Sequence, residues 1–352
     1  MAEKANQHYV PKFYFRFFSQ DGNSICVLTR NNGRTIESGS IKGQASKKGF
    51  YGDTKIEQIL SEMEGSFSSA LRQIREDLCF EKCTPENYAL LLQNIVFQKS
   101  RTMTDRNKSK LREDKQAQLY VECLVNNNEH LLTEETKNMF LDNIQGVEAN
   151  PQHSQILRME TAIKHADSLC DLLPIMLQNK TTRPFIFGDA PVVFINPYLK
   201  NITSTGVLGA CTPGLIILYP VGNTHSIMLI DERTYRIKKF RSSVLAVRDL
   251  KDVAALNKLQ IHNASSAVYF SDSQYSQYVK YLWMEEKKNL VEHNGKVIET
   301  PEFDNNGELV SYLIHSFEQQ LPFIPKLSFL EYQELPENDY KFSQRIARWN
   351  RK

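Results

Sequence analysis

Thr181-Thr182-Arg183-Pro184-Phe185-Ile186-Phe187-Gly188-Asp189-Ala190-Pro191-Val192-Val193-Phe194-Ile195 is where the chain changes character. Before it, apolar residues recur at helical spacing; after it, they gather in short runs bounded by turn residues, the mark of strands. Such runs return at Leu215–Val221, His225–Asp231 and Ser266–Asp272, and Gly222-Asn223 between the first two marks an antiparallel hairpin. A helix over 252–260 separates the last run from the others. A chain that is helical first and strand-rich afterwards belongs to the α+β class. The expectation is a central helical bundle packed against a mostly antiparallel sheet.

Upstream, Ile56, Ile59, Leu60, Met63, Phe67, Leu71, Ile74 and Leu78 form one stripe at 3.6 spacing, the strongest periodic signal in the chain. Thr84-Pro85-Glu86 opens a second helix, with Thr84 as cap and Pro85 in the first turn. That helix is apolar nearly all round from Tyr88 to Phe97, so it should be central. Further helical segments are expected over Glu113–Asn126, Thr133–Ile144 and His153–Gln178. Nearer the N-terminus, QHYVPKFYFRFF (7–18) reads as a short aromatic helix, and the strands around Asn32-Gly33 read as a hairpin. The expected organisation is one α+β domain over 1–270, made of an N-terminal hairpin (20–52), a helical region (55–180) and a β-rich region (183–270). A helical extension (271–352) follows, punctuated by the proline linker LPFIPKLSF.

The chain's 352 residues, 41% hydrophobic and 24% charged, suffice for a large core. A formal net charge of +2 gives no bulk attraction to nucleic acid, so such binding needs local clusters. No apolar stretch approaches the roughly 20 residues of a membrane helix, and a cytoplasmic location without membrane contact is expected. The six cysteines are scattered, with no metal-ligand spacing, and read as reduced thiols. Gly-rich phosphate loops, the dinucleotide fingerprint, His-Glu-x-x-His and Gly-x-Ser-x-Gly are absent from the sequence.

Gln7-His8-Tyr9-Val10-Pro11-Lys12-Phe13-Tyr14-Phe15-Arg16-Phe17-Phe18, followed downstream by Phe185-Ile186-Phe187-Gly188-Asp189-Ala190-Pro191-Val192, resembles the bacterial domain of unknown function 4238 family over roughly residues 7–270. Between these ends the family pattern places an acidic amphipathic helix, like Ile56-Glu57 to Glu64, and a Gln-x-x-Arg helix, like Gln98-Lys99-Ser100-Arg101. The sequence departs from it where the family usually has Ser-Asp-Asn-Pro and this chain has Gly188-Asp189-Ala190-Pro191. The resemblance implies which residues to watch and assigns them no activity.

His8 reads as a general base held neutral ahead of a helix, or as a buried histidine bonded to free backbone groups. Glu57 and Glu64, seven residues apart on one helix flank, read as a cation-binding or proton-sharing pair, or as a flank paired with arginine. Gln98 and Arg101 are one turn apart, and Arg101 calls for an anion: Asp189, a glutamate of the first helix, or a substrate phosphate. Asp189, at a strand end, reads as catalytic or as bonded to its own backbone. Arg158 and His165 match an Arg-x6-His spacing used by some helical ribonucleases, of which about one is expected by chance. Arg101, Lys108, Arg112 and Lys115 on one helix side, and Lys341, Arg345, Arg348 and Lys352 at the C-terminus, read as nucleic-acid contacts or as solvated faces.

Two functions follow. In the first, His8, Glu57, Glu64 and Asp189 do the chemistry of phosphodiester hydrolysis while Arg101, Gln98 and Lys12 hold the substrate, with a divalent metal such as Mg as cofactor. A nuclease effector of bacterial defence or toxin type, acting on nucleic acid or a nucleotide, fits that reading. In the second, the protein is a non-enzymatic interaction or sensor module, with the same residues forming a buried structural network and a protein partner or second copy as its target.

Overall fold

The computed structural model describes residues 6–52, 54–238, 242–304, 307, 309–332 and 345. It opens with β1 (Asn6–His8), the helix α1 (Lys12–Arg16), β2 (Ser24–Thr29), β3 (Thr35–Ser40) and β4 (Ser46–Lys48). β1 pairs antiparallel with β4, and His8 lies opposite Ser46. The aromatic helix is thus shorter than the expected 7–18. Pro11 caps it in an extended conformation, and Val10, preceding proline, is steered away from helical angles. The hairpin at Asn32-Gly33 forms as expected, with Gly33 at φ +68. A Cβ at Gly33 would lie 2.4 Å from the Trp283 ring, so glycine also seats that indole.

The helical region holds α2 (Thr54–Asp77), α3 (Pro85–Ser100), α4 (Met103–Asn127), α5 (Glu134–Asp142) and α6 (Pro151–Lys164). Thr84 Oγ1 accepts the Asn87 amide at 3.2 Å, and Thr102 does the same for Asp105, so α3 and α4 each start on a side-chain cap. α3 is central as expected, with Leu91, Leu92, Ile95, Val96 and Phe97 buried. The expected helix 153–178 is corrected: α6 stops at Lys164, and β5 (Leu173–Asn179) is a strand. Pro174 removes the amide a helix would need, and the apolar run after it suits a strand between two others.

β6 (Phe187–Gly188), β7 (Val193–Ile195), β8 (Ile216–Pro220), β9 (His225–Ile230), β10 (Tyr235–Ile237), β11 (Val244–Val247), α7 (Leu250–Asn263) and β12 (Ala267–Phe270) follow. One sheet has the order β11-β5-β9-β8-β7, antiparallel except between β11 and β5; another runs β3-β2-β12-β6. Met176, Ile217, Ile227 and Leu229 join the core that contains α2 and α3, while Ile175, Leu177, Ile216, Leu218 and Met228 pack with Val253, Leu256 and Leu259 of α7. Coverage on both faces is why these strands read as unbroken apolar runs. Phe187 and Tyr269 of the second sheet meet Phe15 of α1 at ring separations of 5.2 and 4.8 Å. Tyr14 stacks on Tyr219 at 5.2 Å. Each such pair is worth about 0.5–1.5 kcal/mol beyond its buried area, which anchors the N-terminal segment to both sheets.

The expected helical extension over 271–352 is corrected for its described residues up to 332. Its described residues hold one α-helix, α8 (Ser276–Glu286), then the antiparallel hairpin β13 (Gly295–Phe303) and β14 (Leu309–Glu318), and finally β15 (Leu330–Tyr332), which pairs with β10. Pro301 excludes a helix interior but fits a two-stranded ribbon, and Gly307 turns at φ +80. No helix among the described residues is long and apolar enough to cross a membrane.

Candidate functional site

A cavity of about 370 Å³ opens between β1, α1, α2 and the end of α3. His8 comes from β1, Lys12 and Arg16 from α1, Glu57, Ser61 and Glu64 from α2, and Arg101 from the C-terminal end of α3. Glu57, Ser61 and Glu64 share one flank because positions four and seven apart lie one and two turns along a helix. Of the six residues expected to meet in one pocket, His8, Glu57, Glu64, Gln98, Arg101 and Asp189, this cavity is lined by His8, Glu57, Glu64 and Arg101, with Lys12 beside them.

Arg101, 2% exposed, fixes this corner. Its Nη1 donates to Glu64 Oε1 at 2.7 Å, its Nη2 to the His8 carbonyl at 2.7 Å, and its Nε to the Tyr51 hydroxyl at 3.1 Å. Burial works against its charge, and Tyr51 and Glu64 outweigh that, so the guanidinium stays charged. The anion that Arg101 calls for is Glu64.

The His8 ring is half-buried, and its Nε2 is buried without a partner. Burial, then the Lys12 charge, lowers its pKa to about 4, against backbone hydrogen bonding at Lys42 and Ile41. The imidazole is neutral at pH 7. The cause differs from the expected helix terminus, because His8 sits in a strand and desolvation dominates.

Gln98 and Asp189 lie outside the cavity. Gln98, 1% exposed, donates to the Tyr9 carbonyl at 2.9 Å, one layer behind His8. Asp189, also 1% exposed, accepts the Ser265 amide at 2.7 Å, the Ser266 amide at 2.9 Å and the Ser266 hydroxyl. Burial pushes the Asp189 carboxyl up, and these donors oppose it. The expectation that Asp189 shares a reachable hollow with His8 is corrected: it is sealed, and it latches β6 to the start of β12. Gly188 beside it is closely approached by α7, where a Cβ would lie 2.9 Å from the Gln260 carbonyl. A side chain at 188 would have to displace that helix.

Arg16, Ser61 and Tyr51 also line the cavity and went unnoticed in the sequence. Arg16 was legible as the residue one turn after Lys12, and Ser61 as the residue between the two glutamates. Tyr51 had no local signal, since only tertiary packing brings it to Arg101.

Residues 6–274 match the sequence pattern of a family described as "Protein of unknown function (DUF4238)". The chain belongs to the DUF4238 family. No curated protein and no solved structure matches it. The DUF4238 match covers the motif residues His8, Gln98, Arg101 and Asp189 and ends before the β13–β14 hairpin.

That hairpin decides the fate of the basic stripe on α4. Lys108 donates to Glu318 at 2.6 Å and Lys115 pairs with Glu299 at 2.8 Å, both carboxylates belonging to the hairpin. These two lysines are answered within the chain, which corrects their reading as nucleic-acid contacts. Arg112 keeps only a 3.8 Å contact with Glu113 and stays 40% exposed. Arg345 is buried, with Nε on Asp171 Oδ2 at 3.1 Å and Nη1 on the Thr212 carbonyl at 2.7 Å, so it too is corrected. Lys341, Arg348 and Lys352 lie outside the described residues. Among the described residues no group of three His, Cys, Asp or Glu side chains is placed to hold a metal ion.

Proposed function

We propose that the cavity walled by His8, Lys12, Arg16, Glu57 and Glu64 takes a phosphate-bearing substrate and that its chemistry is phosphodiester hydrolysis. The reading rests on His8 in the cavity wall, on a ring whose Nε2 has no hydrogen-bond partner and which is kept neutral at physiological pH. A neutral imidazole accepts a proton, and Lys12 and Arg16, one turn apart, supply positive charge for phosphoryl oxygens. Water attacks phosphorus while its proton passes to His8 Nε2; the bond to the leaving ester oxygen breaks, and that oxygen takes a proton from solvent. Glu57 is the carboxylate that orients the water or takes part in holding a divalent cation such as Mg. Arg101 and Gln98, expected to grip substrate, instead hold the backbone of His8 and Tyr9 and act as positioning residues.

A second reading has its own observation. Three of the motif residues, Gln98, Arg101 and Asp189, are spent on internal hydrogen bonds, as in a binding or sensor module. Turnover of bis(p-nitrophenyl) phosphate and of labelled oligonucleotides separates the two. Hydrolysis that falls by about 10²–10⁴ in His8→Gln at unchanged melting temperature supports the enzyme. Binding without turnover, with or without Mg, leaves the module; neither binding nor turnover removes the site. The proposed setting is an effector of bacterial defence or toxin type, read out as growth arrest on expression that His8→Gln relieves at equal protein level.

A further inference from the structure

A second cavity, of about 550 Å³, lies between α4, α6 and the β13–β14 hairpin and shares no lining residue with the His8 cavity. It shares His165, Leu208, Phe317 and Glu318 with a neighbouring hollow lined by Thr205 and His315, so the two run into one cleft.

The hairpin that roofs the cleft is fastened at its base. Gly295 lies so close to α4 that a Cβ there would be 2.1 Å from the Lys108 carbonyl, and Glu318 bridges Lys99 and Lys108 at 2.7 and 2.6 Å. The cleft is therefore pre-formed, and its volume is in the range of small-molecule sites, about 300–1,000 Å³.

Its lining holds five cations, Lys99, Lys108, Arg112, Arg158 and Lys296, against three carboxylates, Asp105, Glu113 and Glu318. The carboxylates are already engaged, Glu318 by the two lysines and the other two by Arg158, whose Nε meets Asp105 at 2.8 Å and whose Nη1 meets Glu113. Arg158 Nη2 remains buried with no partner, although a guanidinium N–H left unbonded is costly. Arg112 from α4 and Lys296 from β13 add positive charge to the same cleft. The rest of the lining is apolar and includes Phe194, Leu157, Val297 and Phe317, with Lys296 5.8 Å from the centre of the Phe317 ring. An anion acceptor beside an aromatic and aliphatic surface matches a ligand with a charged oxyanion at one end and a flat ring at the other.

We propose that this cleft binds a nucleoside monophosphate, its phosphate between Arg112 and Lys296 beside Arg158 and its base against Phe317. The site is independent of the His8 cavity and of the chemistry proposed there. His165, the C-cap of the helix that carries Arg158, lines the same cleft.

Calorimetry on the full chain tests this with the ribonucleoside monophosphates, the matching nucleosides, inorganic phosphate and a short oligonucleotide. At least one monophosphate should bind at least about tenfold more tightly than its nucleoside and than inorganic phosphate. Arg112→Glu combined with Lys296→Glu should weaken it by at least about tenfold, while Lys12→Glu in the other cavity leaves it unchanged. If the charge reversal lowers the melting temperature, the milder Arg112→Gln with Lys296→Gln should give the same direction at native stability. The proposal is overturned if no monophosphate binds saturably, if the double variants retain full affinity, if Lys12→Glu abolishes binding, or if only the oligonucleotide binds.

Discussion

A guanidinium as enclosed as that of Arg101 survives folding only when its charge and its N–H groups are answered. Glu64, the His8 carbonyl and Tyr51 answer them, and the result is a fixed backbone beside the cavity. Arg101→Ala strands the carbonyl and releases the corner, and should cost about 3–5 kcal/mol in urea denaturation, the range for breaking a buried pair. Asp189→Ala orphans the Ser265 and Ser266 amides and should cost about 1–3 kcal/mol while leaving ligand binding at the His8 cavity intact. Loss of that binding at full stability would return Asp189 to the site. The sequence marked Arg101 as needing an anion, because no arginine enters a core unpaired. Which anion it meets was open, since Glu64 and Asp189 are equally plausible until the helices are placed.

At the scale of elements, the C-terminal hairpin turns a basic helix face into an internal one. Lys108, Arg112 and Lys115 on one side of α4 look the same in sequence whether water, nucleic acid or a strand pair faces them. Glu299 and Glu318, nearly two hundred residues further on, decide it. Gly295→Ala should therefore loosen the hairpin, because the new methyl meets backbone at Lys108 rather than a movable side chain. Overpacking of this kind costs about 1–3 kcal/mol, and hydrogen exchange across 295–318 should accelerate while that of α3 does not change. Uniform exchange across both elements would show that the contact carries no local load. The β5 strand makes the same point: Pro174 was visible, but the two neighbours that demand an extended chain were not.

Across the whole molecule, buried neutral histidines tie stability to pH. His8 and His293 are both lowered from 6.5 to about 4, by burial first and then by Lys12 and Lys108 respectively. Between those values the unfolded chain binds more protons than the folded one, so stability rises with pH across this window and falls as pH drops from about 6.5 towards 4. Urea midpoints measured through the window should show that slope, and His8→Gln and His293→Gln should each flatten it. An unaltered slope in both variants would mean that other groups carry it. The amino-acid order by itself determined the α+β class, the central α3 and the two tight hairpin turns, because periodicity, capping and turn chemistry act over a few residues. Tertiary structure alone decided that His8 and Arg16 share a cavity with Glu57, that Asp189 is sealed against Ser265 and Ser266, and that α4 is roofed by strands. Those outcomes depend on which distant charge or apolar face reaches a residue first, and a linear pattern carries no distances between its parts.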